Sequence, residues 1–354
     1  MAFTSATSDI AWSLLARQAQ AADEEVRWPA PSWELVGQLG GFGWAIPREF
    51  GGSDLELPAL LAAYQHLAAA CLTSAFLLSQ RDAAIRRIRA HASPELQREL
   101  LRPLACGGRF ATVGISQLTT SRQHQGPALT ADLATTHIVL DGLMPWVSGA
   151  PEADHFVTGG VLPDGRQVLV VLPRETPGVS VGPPMELMAL QGSLTAEVRC
   201  QQAVVDRRWL LAGPAEHVLR GAPGGTGGLE TSALALGLAQ AALDYLRHET
   251  AARPELATIT HRLTRRCEEL GRELLRLAAN RTPAEEASAL RARANTLVLR
   301  ATQTALTVAK GAGFLRQHPA QRWARQALFF LVWSCPRSTV DATLAALLDD
   351  SVSS

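Results

Sequence analysis

The chain has 354 residues, and its 33 Lys and Arg are balanced by 33 Asp and Glu, so the formal net charge is zero. A chain of this length can bury a substantial core, and its neutral charge argues against nucleic acid as the main partner. The five cysteines are odd in number and lack metal-ligand spacing, so we expect a cytoplasmic protein without a metal site. No uncharged apolar run reaches about 18 residues and no signal-peptide pattern begins the chain, so we expect no membrane association.

The N-terminal part of the sequence predicts helices. From residue 8 to about residue 105, apolar residues recur at helical spacing. Residues 57–90 form one long helical pattern, which is broken around residues 71–74. We therefore expect a helical domain over residues 1–108.

The middle of the chain changes to short runs of β-favouring residues, separated by Gly and Pro. Such runs predict strands joined by turns. The clearest runs are residues 137–140, 155–161, 167–172 and 196–205. We expect a β domain over residues 109–213.

The C-terminal part returns to helical patterns. Residues 213–228 are rich in Gly and Pro and predict a linker, and helical spacing resumes at Leu229. We therefore expect a second helical domain over residues 214–354. Separate helical and strand blocks predict an α+β fold, because a parallel βαβ sheet would alternate the two along the chain.

Several segments carry family-like motifs. Residues 39–52 read LGGFGWAIPREFGG, residues 311–314 read GAGF, residues 321–327 read QRWARQA and residues 331–335 read LVWSC. Together they resemble the acyl-CoA dehydrogenase family, whose patterns are LxxxGxxxPxEYGG, a Gly-rich turn, an ERxxRDA helix and YEGT. The resemblance covers nearly the whole chain. It implies an N-terminal helical domain, a middle β-barrel and a C-terminal four-helix bundle, with FAD, or alternatively FMN, as cofactor.

Two further segments resemble the family's flavin-contacting strands. Residues 115–121 read ISQLTTS and, about 30 residues on, residues 146–148 read WVS. The resemblance implies that Ser116 and Ser148 bond the flavin, that Trp146 covers its ring and that Ser121 lies near the diphosphate. A flavin ring needs hydrogen bonds at its polar edge and a flat apolar neighbour, which these residue types supply. The alternative is that Trp146 is a core aromatic and that the serines belong to an ordinary loop.

The helix pattern of residues 236–245 resembles the family helix that precedes an arginine directed at the partner subunit's FAD. Counting along the chain, Arg253 falls at that position. The resemblance therefore implies a homodimer or homotetramer in which Arg253 completes the neighbouring cofactor site. The alternative is that Arg253 is a solvated residue at a helix end.

The usual catalytic base of the family is replaced. In many members the Glu of YEGT removes the substrate α-proton, and here that position is Trp333, whose indole has no basic lone pair. Some relatives carry the base at the start of the first bundle helix, where this chain has Gly227. Glu230 lies about one helical turn further on and is the candidate base. Its alternative role is a charge favoured by the positive end of the helix.

Arg322 and Arg325 keep the family's RxxR spacing and share one helix face. The resemblance places the second of them, Arg325, near the flavin or the substrate pocket, and it places Trp333 in that pocket. The alternative is an arginine pair on the surface of the bundle.

These features predict a flavin-dependent oxidoreductase that acts on an acyl thioester or a related acyl substrate. The acyl group is expected on coenzyme A or on an acyl carrier protein. A flavin-dependent monooxygenase of the same fold is an alternative, because that chemistry needs a shielded flavin pocket more than a strong base. A non-catalytic binding or partner subunit is the other alternative.

Overall fold

The computed structural model describes residues 5–118, 126–219, 228–280, 284–333 and 337–348. Over these residues the chain passes from helices through a sheet and back to helices, which confirms the predicted α+β order. No helix within the described ranges is long and apolar enough to cross a membrane.

Five of the described α-helices precede the sheet. They are α1 (Ser5–Glu24), α2 (Ala30–Gln38), α3 (Leu57–Ala70), α4 (Leu72–His91) and α5 (Pro94–Ala105). The predicted break in the long helical pattern is confirmed, and it is a single extended residue, Cys71, with φ −152° and ψ 103°. Most of α4 is buried, including Leu77, Ala84 and Ile85. This helix therefore lies inside the molecule, with protein packed around it.

The motif at residues 39–52 forms the turn between α2 and α3. Gly51 has a positive φ of 91°, which favours glycine. At Gly52 a Cβ atom would lie 1.9 Å from the carbonyl oxygen of Ile46, so any side chain there would collide with the backbone. The glycines are thus required by chain geometry.

Eight strands follow in the described chain. They are β1 (Ala111–Gly114), β2 (Leu129–Leu133), β3 (His137–Val147), β4 (His155–Val161), β5 (Gln167–Pro173), β6 (Val179–Pro184), β7 (Ala196–Asp206) and β8 (Leu210–Ala215). The four predicted runs fall in β3, β4, β5 and β7. The other four strands have only four to six residues, too few for a clear alternation. Strand β8 ends two residues beyond the boundary expected at residue 213.

The strands predicted as a barrel are hydrogen-bonded as one sheet in the order β6-β7-β3-β2-β4-β5-β8, with β1 parallel to β4. Strands β3 and β7 are antiparallel, and their register shifts between Met144 and Val147. From Met144 to Val147 strand β3 advances three residues while β7 advances two. This β-bulge changes the direction of the local side chains. Trp146 lies in this bulge and is 52% exposed, between the buried Met144 and Val147.

The last five helices of the described chain are α6 (Leu229–Ala252), α7 (Ala257–Ala279), α8 (Ala284–Ala309), α9 (Pro319–Phe329) and α10 (Arg337–Leu348). Helix α6 lies very close to α3 at Gly237. A Cβ atom added to Gly237 would lie 2.3 Å from the carbonyl oxygen of Gln65. One hydrophobic core joins the N-terminal helices to this C-terminal group. A second core lies between the sheet and α4 with α5. The two cores meet along α4.

Candidate active site

A cavity of about 830 Å³ lies beside α4, within the size range of ligand pockets. One wall comes from β1, β3 and the turn after β1, and a second wall comes from α4 and the first residues of α6. The remaining lining is residues 187–190 and Thr195, which lie between β6 and β7, and the end of α9 with the turn that follows it. The described residues contain no cluster of three His, Cys, Asp or Glu able to hold a metal ion.

Ser116, Trp146 and Ser148 lie together on the sheet side of this cavity. Ser148 is buried, and its backbone oxygen accepts a hydrogen bond from Thr112 Oγ1 at 2.8 Å. Its hydroxyl accepts from Thr195 Oγ1 at 3.4 Å, and Thr195 also lines the cavity. The hydroxyl of Ser148 is therefore held in place at the wall by the residue that precedes strand β7.

Gln117 fixes the short turn that carries Ser116. Its Nε2 donates to Gly114 O at 3.0 Å, to Thr158 Oγ1 at 3.1 Å and to Gly159 O at 3.1 Å. No role was assigned to Gln117 from the sequence. Its contacts assign it to holding the turn against β4.

The sheet side of the cavity fits a flavin ring. The indole of Trp146 presents a half-exposed flat surface in a strand whose neighbouring residues are buried. Two serines stand beside it with hydroxyl groups that can bond a polar ring edge. The predicted residue Ser121 lies outside the described residues.

Glu230 lies in the first turn of α6 and lines the cavity. Its Oε1 is 3.0 Å from Nη2 of Arg86 on α4, and both side chains are mostly buried. Among the described lining residues Glu230 is the sole carboxylate. The attraction of Glu230, with Tyr64 and Asp82, outweighs burial and raises the pKa of Arg86, so this guanidinium is charged.

Arg86 and its neighbour Arg87 were not identified from the sequence. Both line the cavity, and Arg87 is fully buried. The sequence signal is a stripe at helical spacing that includes the polar residues Ser79 and Gln80, which line the same wall. The stripe escapes notice because charged residues on a helix are usually solvated.

Trp333 also lines the cavity, as the resemblance implied. Its ring stacks on Phe329 with centroids 5.1 Å apart and an interplanar angle of 13°, and it meets Phe76 edge-on at 5.0 Å. Arg291 on α8 donates from Nη2 to the backbone oxygen of Trp333 at 3.0 Å. This wall of the cavity is thus a packed aromatic cluster.

The two arginines of the RxxR helix have different surroundings. Arg325 lines the cavity, donates to Met188 O at 2.7 Å and lies 2.9 Å from Asp23 Oδ2 of α1. Arg322 is buried and donates to Gln20 Oε1 at 3.1 Å, and burial lowers its pKa. Both therefore tie α9 to α1, and Arg325 alone of the two reaches the cavity lining.

Arg253 is not brought to this cavity. It follows α6, and both of its terminal nitrogens lie 3.0 Å from the carbonyl oxygen of Val308 near the end of α8. It also pairs with Glu249, one helical turn earlier. Within a single chain Arg253 caps α8, and its contribution to a neighbouring subunit's cofactor stays a prediction.

Comparison with known proteins adds to this geometry. Residues 2–108 match the family model for the acyl-CoA dehydrogenase N-terminal domain. The chain is 25% identical over 345 residues to the probable acyl-CoA dehydrogenase YngJ of Bacillus subtilis (strain 168), covering 90% of each. Butyryl-CoA dehydrogenase from Megasphaera elsdenii has the same fold, with a TM-score of 0.80 at 17% identity over 99% of this chain and 100% of that chain. The prolyl acyl carrier protein oxidase AnaB also shares it, with a TM-score of 0.78 at 17% identity over 98% and 100%.

The fold and the near-full-length similarity define an acyl-CoA dehydrogenase-like flavoenzyme, a class of oxidoreductase. The chain is similar to acyl-CoA dehydrogenases over most of its length. This similarity implies FAD as the cofactor.

Proposed function

We propose that the chain is a flavin-dependent oxidoreductase that oxidises an acyl thioester inside the cavity beside α4. The observation that carries the proposal is the lining of this one cavity. Ser116, Trp146 and Ser148 stand on the sheet side, and Glu230 and Trp333 stand on the helical sides. A ring held by the sheet would therefore have a carboxylate within the same enclosed space.

The sheet-side residues would bind and orient the isoalloxazine ring. Trp146 supplies the flat apolar surface, and Ser116 and Ser148 supply hydroxyl groups for its polar edge. Bound FAD supplies a two-electron acceptor for the substrate's β-hydrogen. Phe76, Phe329 and Trp333 pack together as one wall of the cavity and would exclude water there.

Glu230 would take the α-proton of the acyl group, because it is the sole carboxylate among the described lining residues. Its ion pair with Arg86 holds the carboxylate in one orientation. A proton on Glu230 would cancel its attraction to Arg86, so proton transfer must also weaken this contact. We therefore expect dehydrogenation to be slow compared with an enzyme whose base has no such partner.

The test uses the purified holoprotein under anaerobic conditions. Flavin absorbance at about 450 nm should fall when a substrate thioester is added, because oxidation of the substrate reduces the cofactor. A panel of short acyl-CoA thioesters and the matching acyl-pantetheine thioesters covers both carriers. A fully flavin-loaded protein that no thioester bleaches would contradict the proposal.

A flavin-dependent monooxygenase is the second candidate, favoured by the aromatic wall at Trp333 in place of a carboxylate. Such chemistry needs a shielded pocket, which Phe76, Phe329 and Trp333 provide. Oxygen consumption by the chemically reduced holoprotein, with oxygen incorporated into the product, would replace the first candidate by this one. The structurally similar AnaB is a prolyl acyl carrier protein oxidase, so both tests should include substrates bound to a carrier protein.

A further inference from the structure

A chain of three hydroxyl groups runs through the wall that carries Ser148. Ser193 Oγ lies 2.9 Å from Thr195 Oγ1, and Thr195 Oγ1 donates to Ser148 Oγ at 3.4 Å. All three side chains are buried. Thr195 and Ser148 line the cavity, whereas Ser193 is not among the residues that line it. The chain of hydroxyls therefore leads from the protein interior to the cavity.

The order of donors in this chain follows from the number of hydrogens. A hydroxyl has one hydrogen to donate and two lone pairs that accept. Thr195 gives its hydrogen to Ser148, so Ser193 must be the donor in its contact with Thr195. Within the described residues the Ser148 hydroxyl accepts this bond and donates to no protein group. Its hydrogen is therefore available to a ligand in the cavity.

Backbone contacts hold the two segments of this wall together. The amide of Gly149, the residue after Ser148, donates to Ser193 O at 2.7 Å. The segment between β6 and β7 is also anchored on α1, because the buried Asp23 accepts from Leu190 N through Oδ1 at 2.8 Å. The backbone around the hydroxyl chain is thus fixed from both sides, which favours a single arrangement of the three hydroxyls.

A buried hydroxyl hydrogen beside a cavity requires an acceptor. Leaving it unpaired is unfavourable, and a ligand atom with a lone pair would satisfy it. The polar edge of an isoalloxazine ring carries such atoms, which are ring nitrogens and carbonyl oxygens. Trp146, two residues before Ser148, presents a half-exposed flat surface in the same cavity. One ring could therefore meet both the indole and the serine hydrogen.

We propose that Thr195 is a positioning residue that keeps Ser148 as a hydrogen-bond donor to the flavin ring. This inference rests on the proposed function, in which the sheet side of the cavity binds flavin. By donating to the serine oxygen, Thr195 leaves the serine hydrogen for a ring acceptor. A serine without this partner could rotate and turn a lone pair toward the ring, where it cannot bond an acceptor.

The experiment measures how tightly the purified holoprotein and its variants hold FAD. Serial dilution releases the cofactor, and the fluorescence of free flavin gives the dissociation constant. Thr195→Val keeps the shape but removes the hydroxyl, and it should weaken FAD binding about three- to tenfold. Ser148→Ala removes the donor itself and should weaken binding at least as much. Thr195→Ser keeps the hydroxyl and should bind FAD within about twofold of the wild type.

A double-mutant cycle distinguishes this role from packing and from direct contact between Thr195 and the cofactor. If Thr195 acts through Ser148, adding Thr195→Val to Ser148→Ala should weaken binding by less than about twofold further. Thr302→Val is the matched control. Thr302 is a fully buried threonine whose hydroxyl donates to Val298 O within α8, and it does not line the cavity. This variant should leave the dissociation constant of FAD unchanged.

The inference fails if Thr195→Val holds FAD as tightly as the wild type, and the proposed function would then still stand. It also fails if the losses in the double variant are additive, because Thr195 would then act independently of Ser148. Thr195→Ala provides the same comparison if the valine variant does not fold. A wild-type protein that binds no flavin would overturn the inference and the proposed function together.

Discussion

Nη2 of Arg86 lies 3.0 Å from Oε1 of Glu230, and both side chains line the same cavity although they come from different helices. Arg86 belongs to α4 and Glu230 begins α6, so the contact joins the N-terminal and C-terminal helical groups at the cavity. Experiments can separate the counter-charge role of Glu230 in this ion pair from its proposed role as a proton acceptor.

Replacement of Glu230 by Gln tests the second role. The amide keeps the shape but cannot take a proton, so Glu230→Gln should lower dehydrogenation by about 10²-fold or more. The measurement is the anaerobic rate of flavin bleaching by a substrate thioester, with flavin content measured alongside. Asp244→Asn is the control, since Asp244 is an exposed acid on the same helix and pairs with Arg247. Full activity in Glu230→Gln would show that Glu230 is a helix-end charge.

Trp333 is expected to limit dehydrogenation, because the sequence resemblance puts this indole at the position of the usual catalytic glutamate. Trp333→Glu should raise the anaerobic bleaching rate by at least about tenfold, through a second proton acceptor in the cavity. The backbone of this residue is held by Arg291 at 3.0 Å, so the exchange of side chains leaves an anchored chain. Trp333→Gln has the size of the glutamate without its basicity and should show no rise. Equal rates in the two variants would mean that pocket volume, not the base, is limiting.

The architecture could be predicted from the sequence because its signals are local and repeated. Helical spacing marked α3 and α4, and strands of seven or more residues such as β4 and β7 were found. Short strands were missed because four to six residues hold too few alternations to stand out, and β6 also ends in two prolines.

The site was predicted less completely, for a physical reason. Trp146, Ser148, Glu230 and Trp333 were found by motif or by counting from a motif, and each lines the cavity. Arg86 and Arg87 were not found, because burial depends on which helices surround α4 and a local sequence window does not contain that information. The guanidinium contact of Arg253 with Val308 spans 55 residues and could not be seen in the sequence for the same reason.

The exposed indole of Trp146 should contribute directly to cofactor binding. Trp146→Ala removes a flat aromatic surface, and we expect flavin affinity to fall roughly two- to tenfold. The ratio of flavin to protein after extensive dialysis measures the effect. Val204→Ala is a suitable control, because Val204 is also 52% exposed on a strand and does not line the cavity. An unchanged flavin ratio and spectrum in Trp146→Ala would contradict the placement of the ring.

We expect the protein to be an oligomer, most simply a two-fold dimer packed through the C-terminal helices. Sedimentation velocity at micromolar concentration should show no more than a minor monomer fraction. Arg253→Gln tests whether this residue reaches the partner's cofactor: flavin affinity should fall while the dimer persists. If the variant loses thermal stability but keeps its flavin, Arg253 acts only as the cap on α8 that a single chain displays. A monomer with fully bound flavin would contradict the dimer.

Gly237 should be required for the contact between α3 and α6. A Cβ at this position would lie 2.3 Å from Gln65 O and 2.8 Å from the Cβ of Ala68, too close for either backbone to stay in place. Gly237→Ala should therefore lower the free energy of unfolding by about 1–3 kcal/mol, even though alanine favours helix. Gly271 on α7 provides the matched control, because a Cβ there would lie 3.8 Å from Gln65 Nε2, an ordinary contact. Gly271→Ala should raise stability by up to about 1 kcal/mol. Urea unfolding of both variants decides the matter, and a Gly237→Ala variant as stable as wild type would mean that the two helices can separate without cost.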